Sequence, residues 1–188
     1  LRQFQPAEVL ASVTTLLADQ PPSSVGLRVH WLRLAERLDH PGRSGLLAGQ
    51  LAVPETLLRS QAARSLWRLS RSAPELRPPQ GTLIAQLERE LDGLCRSLLL
   101  EQLLVWQGRG RHVPLLLKEL PLLRQEAEDR FFRLLAILDD GDAVDRARLH
   151  SRGADRRARS LAIELLDATI KEPSLRPFIQ YLEQSMPD

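Results

Sequence analysis

The side chains that most often hold metal ions are sparse in this sequence and poorly spaced for a site. The four histidines are His30, His40, His112 and His150. No two of them share a helix face at the spacing of metal ligands, and the zinc-protease pattern H-E-x-x-H does not occur. We expect each histidine to lie at the surface or an interface, and we expect no metal or other cofactor.

An acidic stretch at 139–145 superficially resembles a calcium-binding loop. It contains four Asp residues, but Arg148 and Ser151 stand where later calcium ligands are needed. We interpret the stretch as the end of one helix followed by an Asp that caps the next helix.

Signatures of phosphate binding and nucleophilic catalysis are also missing. The run Gly108-Arg109-Gly110-Arg111 follows a predicted helix and contains no Gly-Lys-Ser/Thr, which excludes a Walker-type loop. The single cysteine, Cys95, stands among leucines and is predicted to be a small buried residue. No G-x-S-x-G or Cys/His arrangement suggests a nucleophile. The sequence therefore predicts a protein that is not an enzyme.

Arginines and tryptophans are the residues that could form a binding surface. Arginines cluster in 146–159, where Asp142, Asp145 and Asp155 partly offset them, and the alternative is a solvated face. Trp31 and Trp67 fall within apolar helical stripes and are expected in the core, whereas Trp106, near a helix end, is expected to be exposed. The candidate partner-binding residues are Arg146, Arg148, Arg152, Arg156, Arg157, Trp106, Arg109 and Arg111.

Composition favours an all-helical fold. Hydrophobic residues make up 43% of the 188 and charged residues 27%, but only 4% are aromatic, and Leu and Ala dominate. Such residues favour helix over strand. The net charge of +2 does not by itself indicate nucleic-acid binding. No apolar run is long enough to span a bilayer. Since the sequence shows no signal peptide and starts at Leu1, we expect a domain of a larger soluble or membrane-attached protein.

Prolines and glycines divide the chain into successive helices. The predicted helices cover 6–19, 25–39, 44–52, 54–70, 82–107, 113–139, 143–150, 154–170 and 175–186. Pro54 is expected at a first helical position and Pro121 to kink or split its helix. We predict helix pairs over 1–72, a Pro-rich linker over 73–81 and further helices over 82–188, stacked as one continuous array.

One pattern recurs along the chain. It consists of an Arg, a small residue three positions after it and a large apolar residue seven positions after it. The copies are Arg59, Ala62 and Leu66; Arg124, Ala127 and Phe131; Arg159, Ala162 and Leu166; with looser versions at Arg28, Trp31 and Ala35 and at Asp92, Cys95 and Leu99. The small residue lets a neighbouring helix approach, and the apolar one lies on the same face. This repetition predicts helix pairs that stack through a continuous core.

These copies resemble HEAT repeats, and 45–66 is the fullest match. The usual Asp before the second helix is absent, since the equivalent position is near Val53. A narrower resemblance covers Glu128 to Asp167, with the runs 130–135 and 157–167. It is to bacterial proteins in which a HEAT-like region is joined to a nucleotide-translocase-like membrane carrier, a cyclic-nucleotide-binding module, or both. The resemblance implies an α-solenoid in a cytoplasmic module and carries no nucleotide-binding residue to this chain.

Two functions are consistent with the sequence. The first is a non-catalytic scaffold that binds a protein partner or flanking domains of its own polypeptide. The second is a nucleic-acid-binding HEAT-like protein that holds the DNA backbone on a basic concave face, such as a glycosylase in which Glu101, near Trp106, is the carboxylate. Arginines that converge on one face would favour the second, and dispersed arginines the first.

Overall fold

The computed structural model describes residues 5–18, 24–107, 110, 112–151 and 156–185. Within these ranges the chain is all-helical and contains no strand, which confirms the prediction of an all-helical fold. The chain divides into two compact units, Leu1–Thr82 and Leu83–Asp188. In the described ranges, no helix combines the length and the apolar character that a membrane crossing requires.

The first unit is built around the pairing of two helices. Its helices are α1 (Pro6–Ala18), α2 (Val25–Arg37), α3 (Arg43–Gly49) and α4 (Thr56–Ser72), and a 3₁₀ turn at Gln50–Ala52 follows α3. Leu32 and Ala35 of α2 and Leu58, Ala62 and Leu66 of α4 are fully buried. Small and large apolar residues therefore alternate along the α2–α4 contact, which lets the two helices approach closely.

Polar side chains also join α2 to α4. Arg28 donates a 2.6 Å hydrogen bond to Glu55, at the start of α4. Farther along, the buried hydroxyl of Ser65 donates to Glu36 at 2.5 Å and accepts from the amide of Gln61 at 3.0 Å. These bonds satisfy polar groups that burial would otherwise leave unpaired.

The prediction that Pro54 opens a helix is wrong, because α4 begins at Thr56. Arg59 donates to the carbonyl oxygens of Val53 and Pro54 at 3.0 and 2.7 Å. The segment before the helix is therefore fixed by a side chain from the first turn of α4, in an extended conformation at Val53.

The second unit contains the two longest helices and three shorter ones. They are α5 (Gln80–Gln107, which begins in the first unit), α6 (Val113–Leu138), α7 (Gly141–Ser151), α8 (Arg156–Thr169) and α9 (Pro177–Ser185). Helix α7 packs on α6 and α8, and α8 packs on α9. An aromatic cluster joins α6 to α9: Phe178 stacks on Phe131 with ring centroids 3.9 Å apart and meets Phe132 edge-on at 5.3 Å.

Several local predictions can be compared with these helices. The Asp cap is confirmed, because Asp140 accepts hydrogen bonds from the backbone of Asp142 and Ala143 at the start of α7. Pro121 does not split its helix, since α6 runs without interruption from Val113 to Leu138. A proline removes only one backbone hydrogen bond from the helix interior. The prediction that Cys95 is buried is wrong. Its side chain is half-buried, because the buried residues of α5 end at Leu94.

The recurring spacing places both of its apolar residues in the core in two of the five copies, where Ala62, Leu66, Ala162 and Leu166 are fully buried. In the copies at Arg124 and Arg28, Phe131 and Ala35 are buried, but Ala127 and Trp31 are half-buried. The copy at Asp92 buries neither residue, and its large residue, Leu99, is 59% exposed. The arginines of the copies differ in their partners: Arg28 pairs with Glu55, Arg124 with Glu101, and Arg59 with backbone carbonyls.

The predicted linker at 73–81 is partly ordered by packing. It forms a 3₁₀ turn at Pro74–Leu76, Pro78 is buried, and α5 begins at Gln80. That this stretch links two parts of one continuous array stays a prediction.

The Arg28–Glu55 pair makes the stability of the first unit depend on pH. A hydrogen bond from its own backbone and the Arg28 guanidinium hold the pKa of Glu55 below its ordinary value. A carboxylate with a lowered pKa stabilises the fold above the ordinary Glu pKa of about 4.3, and this contribution is lost as pH falls through the folded-state pKa. We expect Glu55→Gln to be less stable than the wild type near neutral pH, with a difference that shrinks below about pH 4.

Urea unfolding followed by tryptophan fluorescence measures this difference, because Trp31 and Trp67 are half-buried in the first unit, whereas Trp106 is already exposed. Glu75→Gln is the matched control, since Glu75 is exposed and in no ion pair within the described ranges. A Glu55→Gln difference that stayed constant with pH would contradict the assignment.

Candidate interaction surface

Helices α5 and α6 form an antiparallel hairpin that two ion pairs hold together. Glu90 pairs with Arg130, and Glu101 pairs with Arg124. Because the residue number rises along α5 as it falls along α6, the two helices run in opposite directions. The pairs lie at two levels and so fix both the register and the orientation of the hairpin.

The Glu90–Arg130 pair is the buried one. Arg130 donates through Nε and Nη2 to the same Glu90 oxygen at 3.1 and 2.9 Å, and Gln86 donates to the other oxygen at 3.1 Å. The Arg130 and Glu90 side chains are only 4% and 7% exposed. Removing both charges from water costs free energy, and further hydrogen bonds to the carboxylate are needed to offset that cost.

Beyond this pair the hairpin leaves the core of its unit. The buried residues of α5 all lie between Leu83 and Leu94, and those of α6 begin at Leu120. No described residue from 95 to 119 is buried. Residues 95–107 of α5 extend roughly 20 Å at about 1.5 Å per residue, so the end of the hairpin is a projection of considerable length.

The projecting part exposes many large apolar side chains. Among the described residues fifteen such side chains are exposed, and nine of them lie on these two helix segments, whereas the other six are scattered over five helices. We call the nine residues the hairpin surface: Leu99, Leu100, Leu103, Val105, Trp106, Leu115, Leu116, Leu122 and Leu123. Soluble monomers rarely expose apolar patches beyond a few hundred Å², and larger ones mark interaction sites.

The spacing of these residues forms a stripe on each helix. On α5, Leu99, Leu103 and Trp106 follow one another by four and then three residues, which keeps them on one face. On α6, Leu115 and Leu122 are seven residues apart, as are Leu116 and Leu123. Spacings of three, four and seven are those of helices that pack against other helices in bundles and coiled coils.

One carboxylate lies in the middle of the α6 stripe. Glu119 is three or four residues from each of the four leucines Leu115, Leu116, Leu122 and Leu123, and its side chain is exposed. A partner that covered these leucines would have to provide a cation or a hydrogen-bond donor for it.

The predicted binding residues fall in three places. Trp106 is 77% exposed, which confirms the prediction of its exposure, and it belongs to the hairpin surface. Arg146 is exposed on α7, and Arg156 and Arg157 are exposed in the first turn of α8. Arg109, Arg111 and Arg152 lie outside the described residues.

The arginines of α7 do not share one face. Arg148 is half-buried and pairs with Asp129 of α6 at 3.4 Å, and Asp129 also pairs with Arg133 at 3.6 Å. Arg146 is two residues away and points to another side of α7. Arg148 therefore ties α7 to α6, while Arg146, Arg156 and Arg157 stay candidates for binding.

A polar cleft lies beside the hairpin, between α6 and the end of α9. Its volume is about 360 Å³, and it is lined by Pro121, Arg124, Gln125, Glu128 and Ser185. Its charged groups are engaged within the protein, because Arg124 pairs with Glu101 and the hydroxyl of Tyr181 donates to Glu128 at 2.5 Å. Burial and the Glu128 carboxylate both raise the pKa of Tyr181, so its hydroxyl stays protonated as the donor.

Glu101, the carboxylate considered for a glycosylase, is half-buried and held by Arg124. Within the described ranges no group of three or more His, Cys, Asp or Glu side chains is placed to hold a metal ion.

Sequence reasoning missed the hairpin surface, although its signal was present. Of these residues, Leu99 belongs to the recurring spacing, which predicts a packed face, and Trp106 was predicted to be exposed, but the other seven carried no prediction of their own. The usable signal was the length of the two helices, 28 and 26 residues, against the shorter helices that follow in the same unit. Two long neighbours cannot be buried along their full length by partners of 9 to 14 residues.

Comparisons with known proteins found no relative: no family model, no curated protein and no solved structure matches the chain.

The buried ion pair gives a prediction about the base of the hairpin. Glu90→Gln leaves the Arg130 cation in the core without its carboxylate, which we expect to destabilise the second unit by about 3–5 kcal/mol. Replacing both partners with apolar residues, as in Glu90→Leu/Arg130→Met, should recover much of this loss, because no unpaired charge remains buried. Amide hydrogen exchange of α5 and α6 measures both effects.

The control for this experiment is Asp92→Asn, on the same helix. Asp92 pairs with Arg96 at 2.8 Å, but both side chains are exposed, so the expected loss is less than about 1 kcal/mol. Equal exchange rates for Glu90→Gln and Asp92→Asn would show that burial adds nothing to the Glu90–Arg130 pair.

Proposed function

We propose that this protein is a non-catalytic helical scaffold and that it binds a protein partner through the hairpin surface. The observation that carries the proposal is the concentration of exposed leucines, with Trp106, on a projecting helical hairpin. Interface cores are rich in aromatic and large apolar residues and poor in charge, and tryptophan is prominent among the residues that dominate binding energy.

The proposed architecture is a HEAT-like α-solenoid of antiparallel helix pairs. In its support, the small and large residues of the recurring spacing are buried in α4 and α8, and α6, α7, α8 and α9 pack on one another in succession. With the resemblance of 128–167 we propose a cytoplasmic module of a larger bacterial protein, next to a transporter-like or regulatory domain. The partner is then another protein or a flanking domain of the same polypeptide.

The alternative function is binding to nucleic acid, which exposed tryptophan and arginine side chains would support. Trp106 and three arginines, Arg146, Arg156 and Arg157, are exposed. Against it, Trp106 lies on α5 while these arginines lie on α7 and α8, Arg148 is paired with Asp129, and Glu101 is held by Arg124. Backbone contacts to DNA need several free cations on one face, so the scaffold function is better supported.

Site-specific photo-crosslinking tests the scaffold function. A photoreactive phenylalanine analogue at Leu103, which is 54% exposed, should yield a discrete cross-linked protein product in cells of the source organism. The same analogue at Leu149, which is 68% exposed on α7, should yield none, because it is an isolated apolar residue. If position 103 gave no product, or if both positions gave the same products, the hairpin would not be the binding surface.

Fluorescence anisotropy of a labelled DNA duplex tests the alternative. We expect no binding at either about 50 or about 200 mM salt, the range over which several phosphate contacts would reduce affinity by orders of magnitude. Tight binding at the lower salt that collapses at the higher would favour the nucleic-acid function. Loss of that binding in Arg156→Ala/Arg157→Ala would then locate it on α8.

A further inference from the structure

We propose that a face of the first unit formed by α2 and α4 binds an acidic helical segment of a partner protein. Five exposed arginines lie on it, and we call it the basic face: Arg33, Arg37, Arg64, Arg68 and Arg71. Because the basic face shares no residue with the hairpin surface, its binding is additional to the proposed function and independent of it.

The first unit holds the excess of positive charge. Residues 1–82 contain ten arginines, no lysine and six acidic residues, whereas in the rest of the chain acidic residues outnumber basic ones. The imbalance is largest in α4, which has four arginines and no Asp or Glu, and α2 adds three arginines against one Glu. Neighbouring elements with an excess of one sign attract partners of the opposite sign.

Helices α2 and α4 run side by side in the same direction. Arg28 pairs with Glu55 near the start of both helices. Farther along, Glu36 of α2 accepts a hydrogen bond from Ser65 of α4. The residue numbers of the paired side chains thus rise together, and the contact extends along both helices.

Two arginines of the basic face reach across this contact. Arg33 of α2 donates through Nε to Gln61 of α4 at 3.3 Å. In the opposite direction, Arg68 of α4 pairs with Glu36 of α2 at 3.4 Å. Both arginines therefore border the contact line between the helices, on the same side of it as Glu36 and Gln61.

The other three arginines lie beside these two on the same helix faces. Arg37 is four residues after Arg33 on α2. Arg64 and Arg71 stand four residues before and three residues after Arg68 on α4. Residues at such spacings are neighbours on a helix surface, so all five arginines border one contact line. Along α4 the basic face extends over roughly 15 Å, or about three helical turns.

Three of the arginines present their guanidinium groups to solvent. Arg33, Arg37 and Arg64 are exposed, and within the described ranges none of them pairs with a carboxylate. Arg33 and Arg37 are four residues apart on one helix, and like charges at that spacing are destabilising. Carboxylates of a partner would relieve this repulsion, and the planar fork of a guanidinium matches a carboxylate through two parallel hydrogen bonds.

The remaining two arginines are held in position by their neighbours. Arg68 is paired with Glu36, whose side chain is only 17% exposed. The guanidinium of Arg71 lies over the ring of Trp67, 5.5 Å from the centroid. Groups whose positions are fixed before association lose less conformational freedom on binding, which favours a specific partner.

Duplex DNA fits the basic face less well than an acidic helix. Proteins that hold a duplex tightly contact about 6–10 phosphates, a number that three open arginines do not reach. The Glu36 carboxylate at the base of the face would also repel a phosphate strand laid along the contact line. A helix of about three turns with carboxylates every three or four residues matches both the length and the spacing of the arginines.

An anionic membrane surface also fits less well. Helices that lie on membranes combine basic residues with large apolar ones that enter the lipid. The residues of α4 that accompany the arginines along the contact line are Gln61, Ser65 and Ser72, which are polar. Polar residues around arginines are instead typical of the rim of a protein interface.

Fluorescence anisotropy of a labelled helical peptide tests the proposal. The probe is an alanine-based peptide of about 20 residues, long enough to be helical, with Glu at alternating spacings of three and four residues. We expect the 188-residue chain to bind it, with an affinity that falls as salt is raised from about 50 to about 200 mM. The same peptide with Gln in place of Glu should bind at least about tenfold more weakly.

Two double variants locate the binding. Arg37→Glu/Arg64→Glu should bind the Glu peptide at least about tenfold more weakly than the wild type, and should gain affinity for the same peptide with Lys in place of Glu. Arg96→Glu/Arg176→Glu makes the same change in net charge at two exposed arginines outside the basic face and should bind like the wild type. All four arginines are exposed, so circular dichroism should show unchanged helix content in both variants.

The proposal is overturned if the wild type does not bind the Glu peptide at concentrations up to about 1 mM, the limit of weak affinity. It is also overturned if the two double variants bind that peptide equally well, because net charge and not the basic face would then account for the binding. A DNA duplex or vesicles of anionic lipid that bound more tightly than the peptide, and lost this binding in Arg37→Glu/Arg64→Glu, would assign the face to that ligand and reject the acidic helix. Cross-linking at position 103 reports on the hairpin surface alone, so the failure of one proposal is distinguishable from the failure of the other.

Discussion

The second unit depends on the buried ion pair between Glu90 and Arg130. These two side chains lie where α5 and α6 leave the core, and Gln86 completes the hydrogen bonding of the carboxylate. A pair in this position does not add much net stability over an apolar contact of the same size, since desolvation offsets the Coulomb attraction. It does fix which residues of the two helices lie side by side, because any other register would bury both charges without partners.

The register has a consequence for the rest of the hairpin. Below the pair, the aromatic residues of α6 pack on α9, with Phe178 between Phe131, Phe132 and Tyr181. Farther from the core, no described residue from 95 to 119 is buried, and nine large apolar side chains of the two helices face solvent. The helices continue because their sequences favour helix and because Glu101 and Arg124 join them near the middle of the projection. The two helices therefore bury their apolar residues in the core at one end and expose them to solvent at the other.

Leaving nine large apolar residues in water has an energetic cost that the fold of one chain does not remove. Side chains of this kind gain about 1.5–3 kcal/mol each on full burial. A partner that covers them recovers part of this free energy, after the cost of association. The first unit shows the opposite arrangement: its exposed leucines are dispersed over three helices, and its polar side chains Glu36, Ser65 and Gln61 are bonded within the α2–α4 contact.

The sequence by itself determined the secondary structure and its order. Leu- and Ala-rich periodic segments separated by Pro and Gly allow only helices, and local signals such as the Asp140 cap act within a few residues, so they can be read without knowing the fold. Tertiary structure decided which apolar faces are covered. Leu66 and Leu103 stand in similar helical patterns, yet one is fully buried and the other 54% exposed. Likewise Arg146 and Arg148 are alike in sequence, but within the described part of the chain Arg148 is the one that meets a carboxylate on a neighbouring helix. The periodicity of a sequence indicates that a helix has an apolar face. Whether a neighbouring helix is long enough to cover that face depends on residues far away in the chain.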